Sequence, residues 1–225
     1  MKIETKPVAG ALLAVLVYIL LWTLIFTQAS CCSVGGARTA NVYRAYERTV
    51  LIQITCLAPD MNGVAVGFGS GVIVAPNRIL TAAHVAQAGA ICSFDVTGQD
   101  NKTRHMQPRT VLPDVDLASM LVTEGPPFDV SPVLYGPKPL IGSTVCSASA
   151  FPNITRKCGD VLPYTRTPGD MRVLIVVEPG NSGSGLYDED GRLVAIVVMR
   201  VTGVSNQTFE GKAATLQNHL AELLK

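Results

Sequence analysis

The sequence predicts an all-β domain in two halves, with one apolar helix before it and one amphipathic helix at its end. From residue 42 onward, short apolar runs rich in β-branched residues alternate with clusters of Gly, Pro, Asn and Asp, as in proteins built from many short strands. Residues 8–27 form an uncharged apolar run, and leucines recur at helical spacing near the C-terminus. These observations divide the chain into an N-terminal tail (1–7), a membrane segment (8–27), a stem (28–41) and a folded domain (42–225).

Strands are predicted wherever an apolar run lies between two turn-forming clusters. Residues 213–224 break this pattern, because the leucines there recur at helical spacing among good helix formers, and a closing C-terminal helix is expected. The predicted strands are residues 50–57, 71–74, 78–81, 91–96, 117–122, 144–148, 173–177 and 193–201.

The charge and hydropathy of the chain exclude some functions and favour others. Lys and Arg total 18 against 17 Asp and Glu, which gives a net charge of +1. No long block of one sign is present, so binding of nucleic acid through charge is not expected. With 48% hydrophobic and 16% charged residues and a mean hydropathy of +0.33, the chain is too apolar to be disordered and more apolar than most soluble domains. This excess of apolar residues indicates that part of the chain contacts lipid.

Residues 8–27 predict a single transmembrane helix. The run contains 20 residues without a charge, which at about 1.5 Å per residue crosses about 30 Å of hydrocarbon. Lys2 and Lys6 precede it and only Arg38 follows closely, so the positive charge places the N-terminus in the cytoplasm. The chain is then a single-pass membrane protein whose folded domain lies in the periplasm or outside the cell.

Two alternatives remain for this N-terminal segment. Residues 27–29 resemble a signal-peptide cleavage site, although the apolar run is longer than the hydrophobic region of a secretory signal, about 7–15 residues. A lipoprotein site ending at Cys31 is the other, although Gln28 stands where an aliphatic residue is normal. Cys31 and Cys32 lie beside the predicted membrane segment. Three interpretations of this pair remain: acylation, an intermolecular disulfide, or two unreactive residues of the stem.

The cysteine count predicts disulfides rather than a metal site. An even number of cysteines in an exported chain is typical of disulfide bonding, and none of them shows a CxxC spacing, so no metal ligand is expected. The sequence alone leaves the pairing open. The six cysteines are Cys31, Cys32, Cys56, Cys92, Cys146 and Cys158.

Three segments contain the residue types that nucleophilic catalysis needs. GSGVIVAPNRILTAAHV ends just after His84, PDVDLASMLV contains Asp116, and EPGNSGSGL contains Ser182. A serine hydroxyl is a poor nucleophile near neutral pH, so it needs an imidazole to accept its proton and a carboxylate to orient that imidazole. Glycines around the serine let main-chain N–H groups converge on an oxyanion, and the amides of Gly180 and Ser182 are the expected donors. Asp114 is the alternative carboxylate.

Three further residues could compete for a role in such a site. Ser184 is the nearest rival nucleophile to Ser182. His105 lies in a polar stretch and His219 lies on the predicted closing helix, so both are interpreted as surface or packing residues. No metal site is predicted for either histidine.

The motifs TAAH, DLA and GNSGS, in this order and with GSG before the histidine strand, resemble those of the trypsin-like (chymotrypsin-fold) serine peptidases. The resemblance covers about residues 45–225. It implies two six-stranded Greek-key barrels with the site in the cleft between them. It also implies that His84 is the general base and then acid, that Asp116 orients His84, and that Ser182 is the nucleophile.

The sequence departs from the pancreatic members of that family at Asn181, where they have an aspartate that receives the new N-terminus of the cleaved zymogen. The GNSG form is similar to HtrA-type, glutamyl-endopeptidase-like and viral members, which implies an active site assembled without propeptide removal. The chain stops just after the C-terminal helix. A PDZ module of the HtrA kind is therefore not expected.

The implied fold also suggests how four of the cysteines pair. Its first and fourth strands are neighbours, and Cys56 and Cys92 fall on those predicted strands. Cys146 and Cys158 flank what is interpreted as a hairpin turn at the start of the second barrel, so they too could join adjacent strands. Four free buried thiols are the alternative.

The resemblance places the specificity pocket on the segment before Ser182 and on the strand after it, with Val176, Val198 and Arg200 as candidate lining residues. Val176 stands six positions before the nucleophile, where an acidic residue would favour Arg or Lys in the substrate. Because it is apolar, we expect a small or medium aliphatic residue before the scissile bond.

These expectations favour a membrane-anchored serine endopeptidase that hydrolyses polypeptides through an acyl-enzyme on the exported side, without a cofactor. A catalytically silent binding or scaffold protein of the same fold is the alternative. An esterase is a third, but Gly180 to Ser184 lacks the final glycine of a G-x-S-x-G nucleophile elbow. Nothing in the sequence supports an oligomer.

Overall fold

The computed structural model of the protein describes residues 46–57, 63–89, 91–150, 155–163, 170–202 and 209–225. The predicted membrane helix at 8–27, the stem and the cysteines at 31 and 32 lie outside these ranges. Within them, no helix combines the length and apolarity that crossing a membrane requires.

The first half of the folded domain is a closed antiparallel barrel of six strands. Its order is β1-β2-β3-β6-β5-β4, so β1 closes the barrel by pairing with β4. The loop between β5 and β6 contains a 3₁₀ helix at Pro113–Val115, and the one-turn helix α1, Ala83–Ala86, follows β3 directly. The strands are β1 Thr49–Leu57, β2 Val64–Ala75, β3 Arg78–Ala82, β4 Cys92–Thr97, β5 Thr103–Leu112 and β6 Leu117–Glu124.

The second half repeats this architecture with a second closed antiparallel barrel, in the order β10-β11-β12-β9-β8-β7. The short helix α2, Leu220–Leu223, follows its last strand. Two such barrels fit the fold that the sequence motifs implied. The strands are β7 Thr144–Ser149, β8 Thr155–Leu162, β9 Asp170–Val173, β10 Gly185–Tyr187, β11 Leu193–Thr202 and β12 Phe209–Thr215.

Two hydrophobic clusters form the core. In β1, for example, Val50, Ile52 and Ile54 are buried at every second position, as expected when one face of a strand lines a barrel. The larger cluster fills the first barrel and continues into side chains of the second, including Tyr187 and Ile196. The smaller cluster lies inside the second barrel. Because the larger cluster contains residues of both barrels, it fixes one barrel against the other.

The predicted C-terminal helix at 213–224 is wrong in its extent. Residues 213–215 belong to β12, and the α-helix covers only Leu220–Leu223. Ala213 packs in the smaller core cluster and Ala214 in the larger one, so the end of β12 is buried on both faces. A strand buried on both faces lacks the polar alternation that identifies a strand in sequence.

Some strand predictions also need correction. Residues 174–177, predicted as strand, lie beyond the end of β9 at Val173. β2 begins at Val64, well before the predicted residue 71. β5, β8, β10 and β12 were not predicted at all. β5 lacks the alternation of apolar and polar residues that predicts a strand, because Arg104, a charged residue only 1% exposed, occupies an inward position.

Both disulfides suggested by the implied fold are present. Cys56 and Cys92 are direct partners across β1 and β4, and their bond joins these strands. Cys146 and Cys158 are direct partners across the β7–β8 hairpin and are also bonded. Each barrel therefore has one cross-strand bridge.

Candidate active site

His84 lies where β3 ends and α1 begins, and Asp116 holds it by three contacts. The main-chain N–H of His84 donates to Asp116 Oδ1 at 3.0 Å. The ring nitrogen Nδ1 lies 2.9 Å from Oδ2 and 3.1 Å from Oδ1. In addition, the N–H of Ala83 donates to the main-chain oxygen of Asp116 at 3.1 Å. One aspartate thus fixes both the backbone and the ring of the histidine.

Asp116 has a left-handed backbone conformation, with φ 55° and ψ 44°. An L residue other than glycine rarely adopts it, and Asp and Asn tolerate it best. The turn closes through the N–H of Asp116, which donates to Pro113 O at 3.1 Å. Asp114, the alternative carboxylate, lies exposed on the 3₁₀ helix. Asp116 is therefore the aspartate that contacts His84.

The pair is sheltered on one side and open on the other. The His84 side chain is 49% exposed and that of Asp116 is 26% exposed. A ligand can thus reach the imidazole, while the carboxylate lies largely behind it.

Two consecutive tight turns, 178–181 and 181–184, precede β10, and Ser182 is the second residue of the second turn. The N–H of Asn181 donates to Glu178 O at 3.0 Å, and the N–H of Ser184 donates to Asn181 O at 3.0 Å. Gly180 and Gly183 occupy the third position of these turns, each with φ 90°. A positive φ at that position is the mark of type II turns, which favour glycine there. The two glycines flank Ser182 for this reason.

Gly183 is also required by space. A Cβ at this position would lie 1.9 Å from Ser70 O and 2.3 Å from Thr81 Oγ1. Both atoms belong to the first barrel, on β2 and β3. The loop that carries Ser182 therefore approaches the first barrel more closely than any side chain allows.

The main-chain amides of this loop fall into two groups. Those of Asn181, Gly183 and Ser184 donate to protein carbonyls. Those of Gly180 and Ser182 make no hydrogen bond within the part of the chain that the structure describes. They are the two amides that the sequence predicted as oxyanion donors.

Residues 69 and 70 of β2 connect the two parts of the site. The N–H of Ser70 donates to Ser182 O at 2.8 Å. A Cβ on Gly69 would lie 2.7 Å from Val85 Cγ1 and 3.5 Å from Ser182 O, so Gly69 separates Ser182 from Val85. Because Val85 follows His84 directly, the serine loop and the histidine helix pack against the same short segment.

A comparison with protein families agrees with the fold. The family model of the trypsin-like peptidase domain matches residues 69–196, which is more than half of the chain. The chain belongs to the trypsin-like peptidase family. The matched range begins at Gly69 of β2 and includes His84, Asp116 and Ser182. A search of curated proteins finds no match.

The predicted specificity residues of this trypsin-like peptidase have different environments. The side chain of Val176 is 42% exposed, whereas Val198 is buried in the larger core cluster. Arg200 pairs with Gly211 through the backbone of β11, and its side chain lies outside the described part of the structure. The composition of the pocket stays a prediction.

Other titratable residues of the peptidase lie outside this arrangement. His105 Nδ1 lies against Asp95 Oδ1 near the surface, and His219 directly precedes α2. No group of three His, Cys, Asp or Glu side chains placed to hold a metal ion occurs among the described residues. Burial raises the pKa of Tyr46 and of Tyr135 to about 12, so both phenols keep their protons at neutral pH.

Sequence reasoning missed the residues that hold the serine loop from outside. Ser70 and Thr81 contact it from the first barrel, and Lys157 Nζ lies 2.6 Å from Glu178 Oε2 at the start of the first turn. The GSG motif contained Ser70, but nothing in the motif indicates that its hydroxyl reaches residue 180. Only the fold brings these residues together.

Proposed function

We propose that this trypsin-like peptidase is a serine endopeptidase in which Ser182 attacks the substrate, His84 transfers protons and Asp116 orients His84. The observation that carries the proposal is the pair of contacts, 2.9 and 3.1 Å, between His84 Nδ1 and the Asp116 carboxylate oxygens. A carboxylate at Nδ1 favours the tautomer whose Nε2 is free to accept a proton. The proposed substrate is a polypeptide, and the steps need no metal or cofactor.

The first half of the proposed reaction forms an acyl-enzyme. Ser182 Oγ bonds to the carbonyl carbon of the scissile peptide while its proton passes to His84 Nε2. The carbonyl electron pair moves to oxygen, where the amides of Gly180 and Ser182 stabilise the oxyanion. When that pair returns, the C–N bond breaks and His84 gives its proton to the departing amine. The acyl group stays on Ser182.

The second half hydrolyses the acyl-enzyme. His84 Nε2 takes a proton from water as the water oxygen bonds to the acyl carbon. The bond to Ser182 Oγ then breaks, and Oγ recovers the proton from His84. The exposure of the imidazole supports this step, because water and substrate must both reach Nε2.

The unengaged amides support the oxyanion part of the proposal. Within the described loop, Gly180 and Ser182 are left with N–H groups that no protein carbonyl accepts. The amides of Asn181 and Gly183, on either side of Ser182, donate to carbonyls, and that of Glu178 donates to Asn181 Oδ1. These bonds hold the loop in place without reorganisation during the reaction.

We also propose that the site assembles without removal of a propeptide, as in the HtrA-type and glutamyl-endopeptidase-like group. Asn181 is only 3% exposed, and its Oδ1 accepts the N–H of Glu178 at 2.9 Å. An uncharged amide that completes its own turn cannot form the salt bridge that an aspartate makes with a new N-terminus. We expect full activity from a chain whose N-terminus has not been cut.

Membrane anchoring is a separate proposal, supported by the sequence of residues 8–27 alone. The N-terminus would lie in the cytoplasm and the protease domain on the exported side. Extraction of membranes at alkaline pH, followed by N-terminal sequencing, tests it. An intact N-terminus in the membrane pellet supports an anchor, whereas a soluble chain cut near residue 29 contradicts it.

The proposed specificity of the enzyme rests on a pocket whose predicted lining is mostly apolar. Val176, Val198 and Arg200 are the proposed lining residues, and the expected substrate has a small or medium aliphatic residue before the scissile bond. Cleavage sites mapped in a peptide library test this preference. Cleavage mainly after Arg or Lys would contradict it.

The decisive experiment compares Ser182→Ala with Ser184→Ala in the full chain. Wild-type protein and both variants are treated with a fluorophosphonate probe and with casein. Loss of Ser182 should cost on the order of 10⁶ in kcat and abolish labelling. Ser184 is fully buried, so its loss should leave both readouts near wild type.

Two results would contradict the proposal. Labelling that persists in Ser182→Ala assigns the nucleophile elsewhere. A folded wild type that neither labels nor cleaves favours the alternative, a catalytically silent protein of the same fold.

A further inference from the structure

Ser70 is a fully buried serine on β2, in the middle of the GSG motif. It lies in the first barrel, yet most of its polar partners lie in the second. Its main-chain N–H donates to Ser182 O at 2.8 Å, and its hydroxyl donates to Gly180 O at 2.8 Å. One residue therefore contacts the serine loop twice, from outside that loop.

The hydroxyl of Ser70 has a second partner. It accepts the N–H of Ala150, the residue that follows β7, at 3.2 Å. The main-chain oxygen of Ser70 accepts the Thr81 hydroxyl at 2.8 Å and lies where a Cβ of Gly183 would otherwise be. Every polar group of Ser70 is thus hydrogen-bonded, and together these bonds join β2 to three other segments, as a buried polar residue requires.

The two contacts act on alternate peptide units of the loop. The unit between Gly180 and Asn181 is held at its oxygen by Ser70 and at its N–H by Glu178 O. The unit between Ser182 and Gly183 is held at its oxygen by Ser70 and at its N–H by Val197 O. Between these fixed units lies the one that carries the N–H of Ser182. Its orientation follows from theirs.

The ion pair at the start of the loop is weaker support. Lys157 and Glu178 form an ion pair, but the glutamate side chain is 53% exposed. Exposed pairs of this kind typically contribute less than about 1 kcal/mol and are screened by salt. The hydroxyl of Ser70 comes from a fully buried side chain, so its hydrogen bonds are less screened than this ion pair and contribute more to the position of the loop.

We propose that Ser70 is a positioning residue, whose hydroxyl fixes the peptide unit between Gly180 and Asn181 and thereby orients the adjoining units that present the Gly180 and Ser182 amides to the oxyanion. The proposal rests on the proposed function. Ser70 touches neither substrate nor the reacting atoms, and it acts through Gly180. Loss of its hydroxyl leaves Gly180 O and the Ala150 N–H without a partner, and the first turn relaxes.

The matched pair of variants is Ser70→Ala and Ser119→Ala. Ser119 is also a fully buried serine of the first barrel, on β6, but its hydroxyl has no partner among the described residues. Both changes remove one buried oxygen, so they separate the Ser70 contacts from burial alone. Each variant is measured as full chain for thermal stability, kcat, KM and the affinity of a peptide aldehyde, which forms a tetrahedral adduct on the serine.

We expect kcat of Ser70→Ala to fall about 10- to 100-fold with KM changed less than about twofold, since only the transition state uses the oxyanion donors. Affinity for the aldehyde should fall in parallel with kcat. Ser119→Ala should match wild type in kcat, KM and aldehyde affinity. A purely structural role would lower the melting temperature or the titrated active fraction and leave kcat per active site unchanged.

The outcomes separate this proposal from the one on which it rests. Wild type that cleaves, with Ser70→Ala equal to Ser119→Ala in kcat per active site, overturns the role of Ser70 and leaves the serine endopeptidase standing. Wild type that neither cleaves nor labels overturns both. Should Ser70→Ala not fold, Ser70→Cys replaces it, since a thiol is a weaker donor of similar size. An unchanged kcat in that variant overturns the proposal, and a selective loss of kcat supports it.

Discussion

His84 and Asp116 are held by side-chain contacts within the first barrel, whereas the loop of Ser182 is held by its main chain against both barrels. In the first region, one carboxylate bonds the ring and the backbone of the histidine. In the second, glycines with positive φ and alternating carbonyl contacts fix the chain. The first region depends on which side chains are present. The second depends also on where side chains are absent.

The difference teaches how each region tolerates change. A side-chain contact is removed by an isosteric substitution that leaves the fold intact. A main-chain arrangement is not removed in this way, because only added bulk or a lost external partner disturbs it. Four measurements test this contrast, in order of decreasing expected effect.

The largest effect is expected at the side-chain region, from Asp116→Asn. The amide cannot hold the productive imidazole tautomer, so kcat should fall by about 10⁴ with little change in melting temperature. Asp114→Asn is the matched control, because Asp114 is an exposed carboxylate only two residues away, on the 3₁₀ helix. Steady-state kinetics with a peptide substrate check this. Equal losses of kcat in both variants would refute the assignment of Asp116 as the residue that orients His84.

The two disulfides allow the stability of the two barrels to be compared, because each barrel contains one of them. In a chain-entropy treatment, the Cys56–Cys92 bridge, with 36 residues of separation, contributes about 4 kcal/mol and the Cys146–Cys158 bridge, with 12, about 3 kcal/mol. Replacing each pair by serine should lower the free energy of unfolding in that order. Urea unfolding followed by circular dichroism measures it. The reverse order would show that native contacts, rather than the length of the loop that each bridge closes, set its contribution to the free energy of unfolding.

Gly183→Ala tests the main-chain region by adding a side-chain atom to the loop of Ser182. The new Cβ meets main-chain and hydroxyl atoms of the first barrel, so the loop must shift, at a cost of about 3 kcal/mol and with loss of most activity. Gly142→Ala is the control, since Gly142 also has positive φ, 83°, but open space around it. It should cost only the backbone strain, about 1 kcal/mol. Equal melting temperatures for the two variants would mean that contact with Ser70 is not what requires glycine.

The smallest effect is expected at Asp100, whose carboxylate bonds the buried Arg104 guanidinium. That hydrogen bond lowers the pKa of Asp100 to about 2. Because the folded-state pKa lies below the unfolded one, the stabilisation is present above about pH 4 and is lost as pH falls towards 2. The carboxylate is 38% exposed, so Asp100→Asn should cost less than about 1 kcal/mol at pH 7. Unfolding curves of both proteins should converge near pH 2, and a difference that stays constant with pH would show that ionisation of Asp100 is not its cause.

The side-chain region could be predicted from sequence almost completely. His84 and Asp116 stand in local motifs that identify them, and their contact is present. The pairing of Cys56 with Cys92 and of Cys146 with Cys158 followed once the fold was implied. Motifs of this kind are visible because the chemistry requires particular side chains at particular places.

The strands are predicted less evenly. β1 has one buried face, and its predicted ends lie within a residue of the observed ones, because alternation survives where one face is covered. β5 escapes prediction because Arg104 points inward, which is possible only where Asp100, the carbonyls of Pro126 and Pro127, and the Phe128 ring surround its guanidinium. The end of β12 resembles a helix in sequence because this end of the strand is buried on both faces.

The sequence by itself determined the two-part all-β architecture, the side chains that form the His84 and Asp116 pair, and the glycines around Ser182. The tertiary structure decided what holds those glycines, since Ser70 reaches Gly180 across 110 positions of sequence. A hydrogen bond of this range depends on how two barrels pack, and packing sums many small contacts from distant residues. No local pattern of residues encodes that sum, whereas the chemistry of a motif is carried by the motif itself.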